Sequence, residues 1–369
     1  MSNSSNSSSL IAPGQRMEGQ SSSGNPFVFE GGDVRVLVVY KEQPLVGMIC
    51  SQCLIHASLV LKRFIFPPWR VAPPFVHSLE FSSLLPPSFN IVSTSPQAPF
   101  AEIDCSEDDG DALLVLLNII HLKHAHIPKR LQFSVLLQVA ALCDKYMCVE
   151  LVQPWLAVWT EKLEFRSKYP MAEQVLFTHW VFGQEQEFEL VAKTMVLECK
   201  TNEHGQLLNK YNWLWSDPFP PGIAENVLRI RNDTVKALLA TPYQMVSKYE
   251  KTNDNICQLG DVDGEDNACD GASWGSLTRG MQLASLWPIK PADEVYMSIE
   301  EVADAIESIH IYHFVAHHHC GPTNFHAEVT RVLGRIENPV LDIHRRHMVE
   351  VEHQGLGRRR KFFFKLEVR

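Results

Sequence analysis

The chain has 369 residues, of which 33 are basic and 43 acidic, so its formal net charge is −10. This length predicts two or three domains, and an apolar content of 45% is sufficient for packed cores. The negative charge argues against a protein that coats nucleic acid or an anionic membrane, and no apolar run is long enough to span a bilayer. Nine cysteines without a signal-peptide pattern indicate reduced thiols in a cytoplasmic or nuclear protein.

The N-terminal segment is rich in serine. Nine serines fall within the first 25 residues, among almost no side chains that a core could bury. Such a composition cannot offset the conformational entropy that is lost on ordering. We therefore predict a disordered tail over residues 1–30.

A dense run of β-branched residues follows the turn residues that begin at Gly31. It predicts a strand over residues 33–40, and a polar break then separates it from a second strand over 45–50. Two short strands with a tight connection indicate a hairpin. The next residues, 51–65, have helical periodicity, with Ser51 placed to cap the helix.

Residues 66–100 do not fit their surroundings. They hold eight of the 22 prolines and only two charged residues, Arg70 and Glu80, although the segment is apolar. Proline at this density prevents both a regular helix and a central strand. Two interpretations fit the segment: a natural insertion, or untranslated sequence read into the protein by a faulty gene model. The same two interpretations apply to residues 355–369.

The remaining pattern is mainly helical. After a short strand over 101–104, helices are predicted over 108–123, 131–145 and 149–163, with Pro154 tolerated only in the first turn of its helix. Further helices are predicted over 171–183, 185–199, 204–215, 222–250 (interrupted near Pro242), 273–286, 298–309 and 323–336. The sequence thus predicts an α+β unit at the front and an all-α region behind it.

Several motifs together resemble the BTB (POZ) domain proteins of filamentous fungi. In the front half these are Ile49-Cys50-Ser51, Ala57-Ser58 and Ala140-Ala141-Leu142-Cys143-Asp144-Lys145-Tyr146. In the back half they are Pro220-Pro221-Gly222-Ile223, Gly275-Ser276-Leu277-Thr278-Arg279-Gly280, Leu286-Trp287-Pro288 and Asn338-Pro339-Val340-Leu341-Asp342. The resemblance covers residues 31–350.

The resemblance implies a BTB/POZ fold, a small β-sheet flanked by helices, over residues 31–163 with the insertion 66–100. A helical region over 164–250, an acidic linker over 251–272, a C-terminal helical region over 273–350 and a basic tail over 351–369 would follow.

The resemblance also implies a non-catalytic protein–protein interaction module that forms a homodimer or acts as an adaptor or scaffold. Members of the family recruit protein partners, including the cullin scaffold of ubiquitin ligases. A substrate adaptor of a cullin-type ligase and a transcription-related nuclear regulator are the alternatives. Nucleophile-elbow, phosphate-loop, dinucleotide and zinc-protease motifs are absent, so we expect neither an enzyme nor a cofactor. Cys50 and Cys53 have the spacing of a redox pair, but no second pair accompanies them, and buried thiols are the preferred interpretation.

One group of residues has the composition of a metal site. His317 and Cys320 have a workable ligand spacing, and two more cysteines flank an acidic loop that could fold back toward them. The preferred interpretation involves no metal, because consecutive histidines commonly form a solvated polar run and the loop has the composition of a solvated linker. The alternative is a closed structural zinc site formed by Cys257, Cys269, His317 and Cys320.

Overall fold

The structure is a computed structural model that describes residues 24–66, 101–161, 171–257, 265–317 and 319–352. The predictions made for residues 1–23, for 67–100 and for the basic residues 353–369 lie outside these described residues. Within the described ranges, no helix combines the length and the apolar character that crossing a membrane requires.

A three-stranded sheet organises the front of the chain. Strands β1 (Val34–Tyr40) and β2 (Gln43–Ile49) form the predicted antiparallel hairpin, and β3 (Ala101–Cys105) pairs with β1 in parallel, giving the order β2-β1-β3. Lys41 and Glu42 form the two-residue turn with φ values of 50° and 62°. Positive φ at both positions is typical of hairpin turns, whose twist matches that of the strands.

The helix predicted over residues 51–65 is divided into α1 (Ser51–Ala57) and α2 (Leu59–Ile65). Ser58 is extended, with φ −152°, and its hydroxyl accepts from the N–H groups of Val60 and Leu61 while it donates to the Tyr146 carbonyl. The capping serine is therefore Ser58 and not Ser51, because the helix must restart where the chain meets the end of another helix.

Helices cover the sheet and form the first core with it. They are α3 (Gly110–Ile120), α4 (Phe133–Tyr146) and α5 (Gln153–Thr160), and Pro154 lies in the first turn of α5 as predicted. The first core includes ten buried side chains from these strands and helices: Val36, Val38, Ile49, Leu54, Leu61, Leu116, Leu117, Ile120, Leu137 and Leu142.

Order begins earlier than the predicted end of the tail at residue 30. Phe27 is completely buried, and its carbonyl accepts from the Met48 N–H at 2.9 Å. The Phe29 N–H in turn donates to the Met48 carbonyl at 2.8 Å. Residues 27–29 therefore pair with the edge of β2, and the tail prediction is wrong for them because the sheet supplies both a pocket and backbone partners.

The rest of the described chain is mostly helical. Its helices are α6 (Ala172–Val181), α7 (Glu185–Glu198), α8 (Ile223–Lys251), α9 (Glu265–Leu283), α10 (Ile299–Glu307), α11 (His326–Leu333) and the helical residues 342–352. They enclose a second apolar core around α8. α6 belongs to both cores, with Phe177 and Val181 in the first and Val175 and Leu176 in the second.

The helix predicted over residues 204–215 is wrong. A small hairpin of β4 (Lys200–Thr201) and β5 (Leu207–Leu208) lies there, so the region after the first core is not all-α. The Asn209 side chain accepts from the N–H groups of Tyr211 and Trp213, at 3.0 and 3.1 Å. Such local hydrogen bonds from asparagine to the backbone compete with a helix and favour a turn.

Two other helices, α8 and α9, also differ from the prediction. α8 continues through Pro242 without the predicted interruption, because the buried side chains of Leu238, Leu239 and Val246 on either side hold it against the core. This packing outweighs the roughly 3 kcal/mol that proline costs inside a helix. α9 begins at Glu265, eight residues before the predicted start, so the last eight residues of the proposed linker are helical.

Candidate metal centre

Three separate segments of the second half meet at one point. They are the residues that follow α8, the second turn of α9, and the short turn around Val315–His317. Each segment contributes a thiol or an imidazole, and the donor atoms all lie within 4.8 Å of one another. This thiol–imidazole cluster consists of Cys257, Cys269, His317 and Cys320.

The donor atoms are close to one another without being bonded. The Cys257 sulfur lies 3.1 Å from Nδ1 of His317 and 3.5 Å from the Cys320 sulfur. The Cys320 sulfur lies 3.8 Å from the same imidazole nitrogen. A disulfide requires about 2.05 Å between its sulfurs, so all three cysteines are free thiols.

The cluster is largely shielded from solvent. Cys269 is 0% exposed, His317 3% and Cys257 8%, whereas Cys320 is half-buried. The preferred sequence interpretation, a solvated polar run and a solvated linker, is therefore wrong for these positions. α8 and α9 pack together, and Asp270 on α9 holds the backbone of Cys257 beside that helix, which solvated segments would not allow.

An aspartate on α9 holds the first segment in place. The Asp270 carboxylate accepts from the backbone N–H groups of Ile256 and Cys257, at 2.6 and 3.0 Å. One turn earlier, Asp266 accepts a hydrogen bond from the Asn255 side-chain amide. These contacts fix the backbone of Cys257 next to the helix that carries Cys269.

Backbone hydrogen bonds within a tight turn orient the third segment. The His317 N–H donates to the Phe314 carbonyl at 2.8 Å, and the Cys320 N–H donates to the His317 carbonyl at 2.9 Å. The Phe314 ring also contacts the His317 imidazole edge to face, with centroids 6.1 Å apart. The spacing of His317 and Cys320 thus places both side chains on the same side of the turn.

Electrostatics make three thiolates unfavourable here unless a cation is bound. Burial, together with the nearby thiols of Cys257 and Cys320, raises the pKa of the Cys269 thiol to about 12. A thiolate in an apolar setting beside other sulfurs lacks solvation and is repelled by any neighbouring charge. A bound divalent cation reverses this preference, because it deprotonates coordinating thiols.

The donor set identifies the kind of ion that would suit this cluster. Calcium and magnesium take oxygen ligands, and no carboxylate belongs to the cluster. Three thiols and one imidazole match the tetrahedral sulfur and nitrogen sets of structural zinc sites. Within the described residues, this is the group of side chains best suited to hold a metal.

Other histidines near His317 in the sequence lie outside the cluster. His313 lies 3.0 Å from the Ser273 hydroxyl and 3.2 Å from the Pro322 carbonyl. His326 pairs with Glu307 at 2.9 Å on the surface. His319 is exposed. Asp270 was expected only as part of a solvated linker, and its role was not predicted. Its position directly after Cys269 is the sequence feature that connects Asp270 with the cluster.

Cys50 and Cys53 form no metal site with the described residues. Both are half-buried at the start of α1, so the prediction of buried thiols holds only in part. Burial raises the pKa of Cys53, and the Cys50 thiol adds to the increase. A raised pKa leaves the thiol protonated near neutral pH, which is the opposite of what a redox-active cysteine requires.

Comparison of the chain with models of protein families, with curated proteins and with solved structures finds no match.

Proposed function

We propose that this protein is a non-catalytic interaction module that self-associates through its N-terminal BTB-like region. The element order supports the proposal: a β1-β2 hairpin, two short helices, a third strand and then further helices. The front-half motifs that resemble the BTB family lie at the junction of β2 with α1, at the junction of α1 with α2 and in α4. On this proposal the region over 31–163 makes the protein contacts, and the helical region is attached to it.

Exposed apolar side chains on α2 and β2 are the observation that carries the proposal. Leu59 is 71% exposed, Phe64 51% and Val46 46%. Exposed large apolar side chains are favourable contact residues for another protein, because their burial in an interface removes apolar surface from water. The family resemblance implies dimer contacts through the helical segment 51–65 and the strand before it, and α2 and β2 lie in these two segments. A second copy of the chain is therefore the proposed partner.

Sedimentation velocity of the full chain at micromolar concentration tests the proposal. We expect the wild-type protein to sediment as a species larger than the monomer. The double variant Leu59→Lys/Phe64→Lys should sediment as a monomer, because two ammonium groups cannot be desolvated in a self-complementary interface. Leu190→Lys is the matched control, since Leu190 is 56% exposed on α7, outside the BTB-like region. Circular dichroism should show that all variants remain folded.

A wild-type chain that stays monomeric at every concentration would contradict the homodimer. Affinity purification with mass spectrometry would then test the adaptor alternative, in which a cullin co-purifies with the wild-type chain and is lost from the double variant. Loss of the partner from the Leu190→Lys control as well would show that the contact lies outside α2.

A further inference from the structure

We propose that the thiol–imidazole cluster binds one Zn²⁺ as a structural ion. The proposal concerns the helical region after residue 171 and is independent of the proposed self-association. It rests on the geometry of the cluster, on the absence of an open ligand position and on the polar composition of the helix face that carries Cys269.

The separations between the donor atoms are close to those of a tetrahedral site. With zinc–sulfur bonds of about 2.3 Å and a zinc–nitrogen bond of about 2.05 Å, tetrahedral angles place two sulfurs about 3.8 Å apart and a sulfur and a nitrogen about 3.6 Å apart. The separations in the structure are 3.5 Å for Cys257 and Cys320, and 3.1 and 3.8 Å from these sulfurs to His317. Small side-chain rotations are enough to bring the donors to the ideal distances.

The site would be structural because the protein fills every coordination position. Zinc in structural sites takes four protein ligands, whereas catalytic zinc keeps one position for water. All four donors of the cluster lie within 4.8 Å of one another, and three of the four residues are buried. On binding, the ion replaces the thiol protons, which leave to solvent, and a site with three thiolates and a neutral imidazole carries a net charge of −1.

The first half of α9, which carries Cys269, buries few apolar side chains. In the first half of α9 the buried positions are Asp266, Cys269 and Ser273, none of which is a large apolar residue. In the second half they are Leu277 and Met281. Because little hydrophobic free energy is available in the first half, coordination would supply the stabilisation that apolar packing does not.

Coordination would also connect parts of the chain that are distant in sequence. Cys257 and His317 are sixty residues apart in sequence, yet the Cys257 sulfur lies 3.1 Å from Nδ1 of His317. An ion between them closes a long loop, and closure of a long loop by a cross-link lowers the entropy of the unfolded chain. The ion would thus hold the end of α8, the start of α9 and the 314–320 turn together.

Metal analysis of the full chain tests the proposal. The protein is purified through a tag without histidines and without chelators, and elemental analysis should find about one zinc per chain. Cys269→Ser should lower this content at least tenfold. Cys199→Ser is the matched control, because Cys199 is another buried thiol of the same helical region that lies outside the cluster, and it should keep the full zinc content.

Three further measurements extend the test, and the first two do not depend on Cys269→Ser. Cys320→His keeps four zinc ligands, so it should retain zinc where Cys320→Ser does not. Reduced apoprotein titrated with Co²⁺ should develop the intense visible absorption of a tetrahedral ion with thiolate ligands. Removal of zinc from the wild-type protein should lower its melting temperature and return of zinc should restore it, whereas Cys269→Ser should respond to neither.

Three results would overturn the proposal. The first is a chain that holds less than about a tenth of an equivalent of zinc and does not take up Zn²⁺ after reduction. The second is another metal, such as iron, in stoichiometric amount in place of zinc. The third is a disulfide between Cys257 and Cys320 that persists in freshly purified protein, since oxidised sulfurs cannot act as thiolate ligands.

Discussion

The imidazole of His121 accepts a hydrogen bond from the backbone N–H of Cys50, with 3.0 Å between Nε2 and the amide nitrogen. Its Nδ1 lies 2.8 Å from the Leu117 carbonyl and donates to it. The two partners fix a neutral ring with the proton on Nδ1. The contact joins the end of α3 to the junction between β2 and α1, and the ring also stacks on Phe29 at 4.1 Å.

We expect this histidine to make the protein less stable in acid. Burial lowers the pKa of His121 below its ordinary value of 6.5. The contribution of the neutral ring is therefore complete above about pH 6.5 and is lost as the pH falls through the lower pKa of the folded state. Each pH unit between the two pKa values costs up to about 1.4 kcal/mol. Urea unfolding at pH 7.5 and at pH 5.5 measures the change.

His121→Gln should reduce the difference in unfolding free energy between the two pH values. The exposed His204 provides the control, since His204→Gln should retain the wild-type difference. Part of the difference should persist in His121→Gln, because burial also lowers the pKa values of His179, His344 and His347. An unchanged pH dependence in His121→Gln would show that its ring is not held neutral.

A completely buried arginine connects α8 to the segment before α10. Arg231 is 0% exposed, and its guanidinium donates to the carbonyls of Val295 and Met297, at 2.5 and 2.6 Å. Arg231→Met keeps much of the side-chain volume but leaves both carbonyls without this donor. We expect a loss of about 2 kcal/mol in the free energy of unfolding, since charge-assisted bonds are lost while the cost of burying the charge is recovered. Denaturant titration measures it.

Arg229→Met is the matched control, two residues away on the same helix. Arg229 pairs with Asp233 and Glu337 at the surface, where its side chain is 50% exposed. Exposed ion pairs contribute little to stability, so this variant should unfold close to the wild type. Equal stability of Arg231→Met and the wild type would mean that desolvation of the buried guanidinium cancels its hydrogen bonds.

Two glycines should respond to alanine in opposite directions. A Cβ atom on Gly47 would lie 2.5 Å from the Phe27 carbonyl oxygen, which forces residues 27–29 away from β2. We expect Gly47→Ala to cost about 1–3 kcal/mol. Gly275 lies within α9 and a Cβ atom there meets nothing within 4 Å, so Gly275→Ala should gain up to about 1 kcal/mol from the higher helix propensity of alanine. Unfolding in urea compares the two, and destabilisation by Gly275→Ala would contradict the open space around α9.

Local sequence patterns predict the front of the fold well. Alternation of β-branched residues identifies the hairpin, and helical periodicity identifies α3 and α4 together with the residues that they bury. These features depend on neighbours a few residues apart, which the sequence displays directly. The same local information located α6, α7 and α10 to within a few residues.

Other features depend on contacts between residues that are distant in sequence. α1 and α2 separate at Ser58 because its hydroxyl reaches the Tyr146 carbonyl, and α8 continues through Pro242 because the core holds it on both sides. Residue types and spacing suggested that Cys257, Cys269, His317 and Cys320 could form a site, but a solvated loop fitted the same sequence. The packing of α8 and α9 brings these side chains together, and Asp270 holds the Cys257 backbone in place. Cys257 and His317 are sixty residues apart, and local propensity carries no information about contacts at that separation.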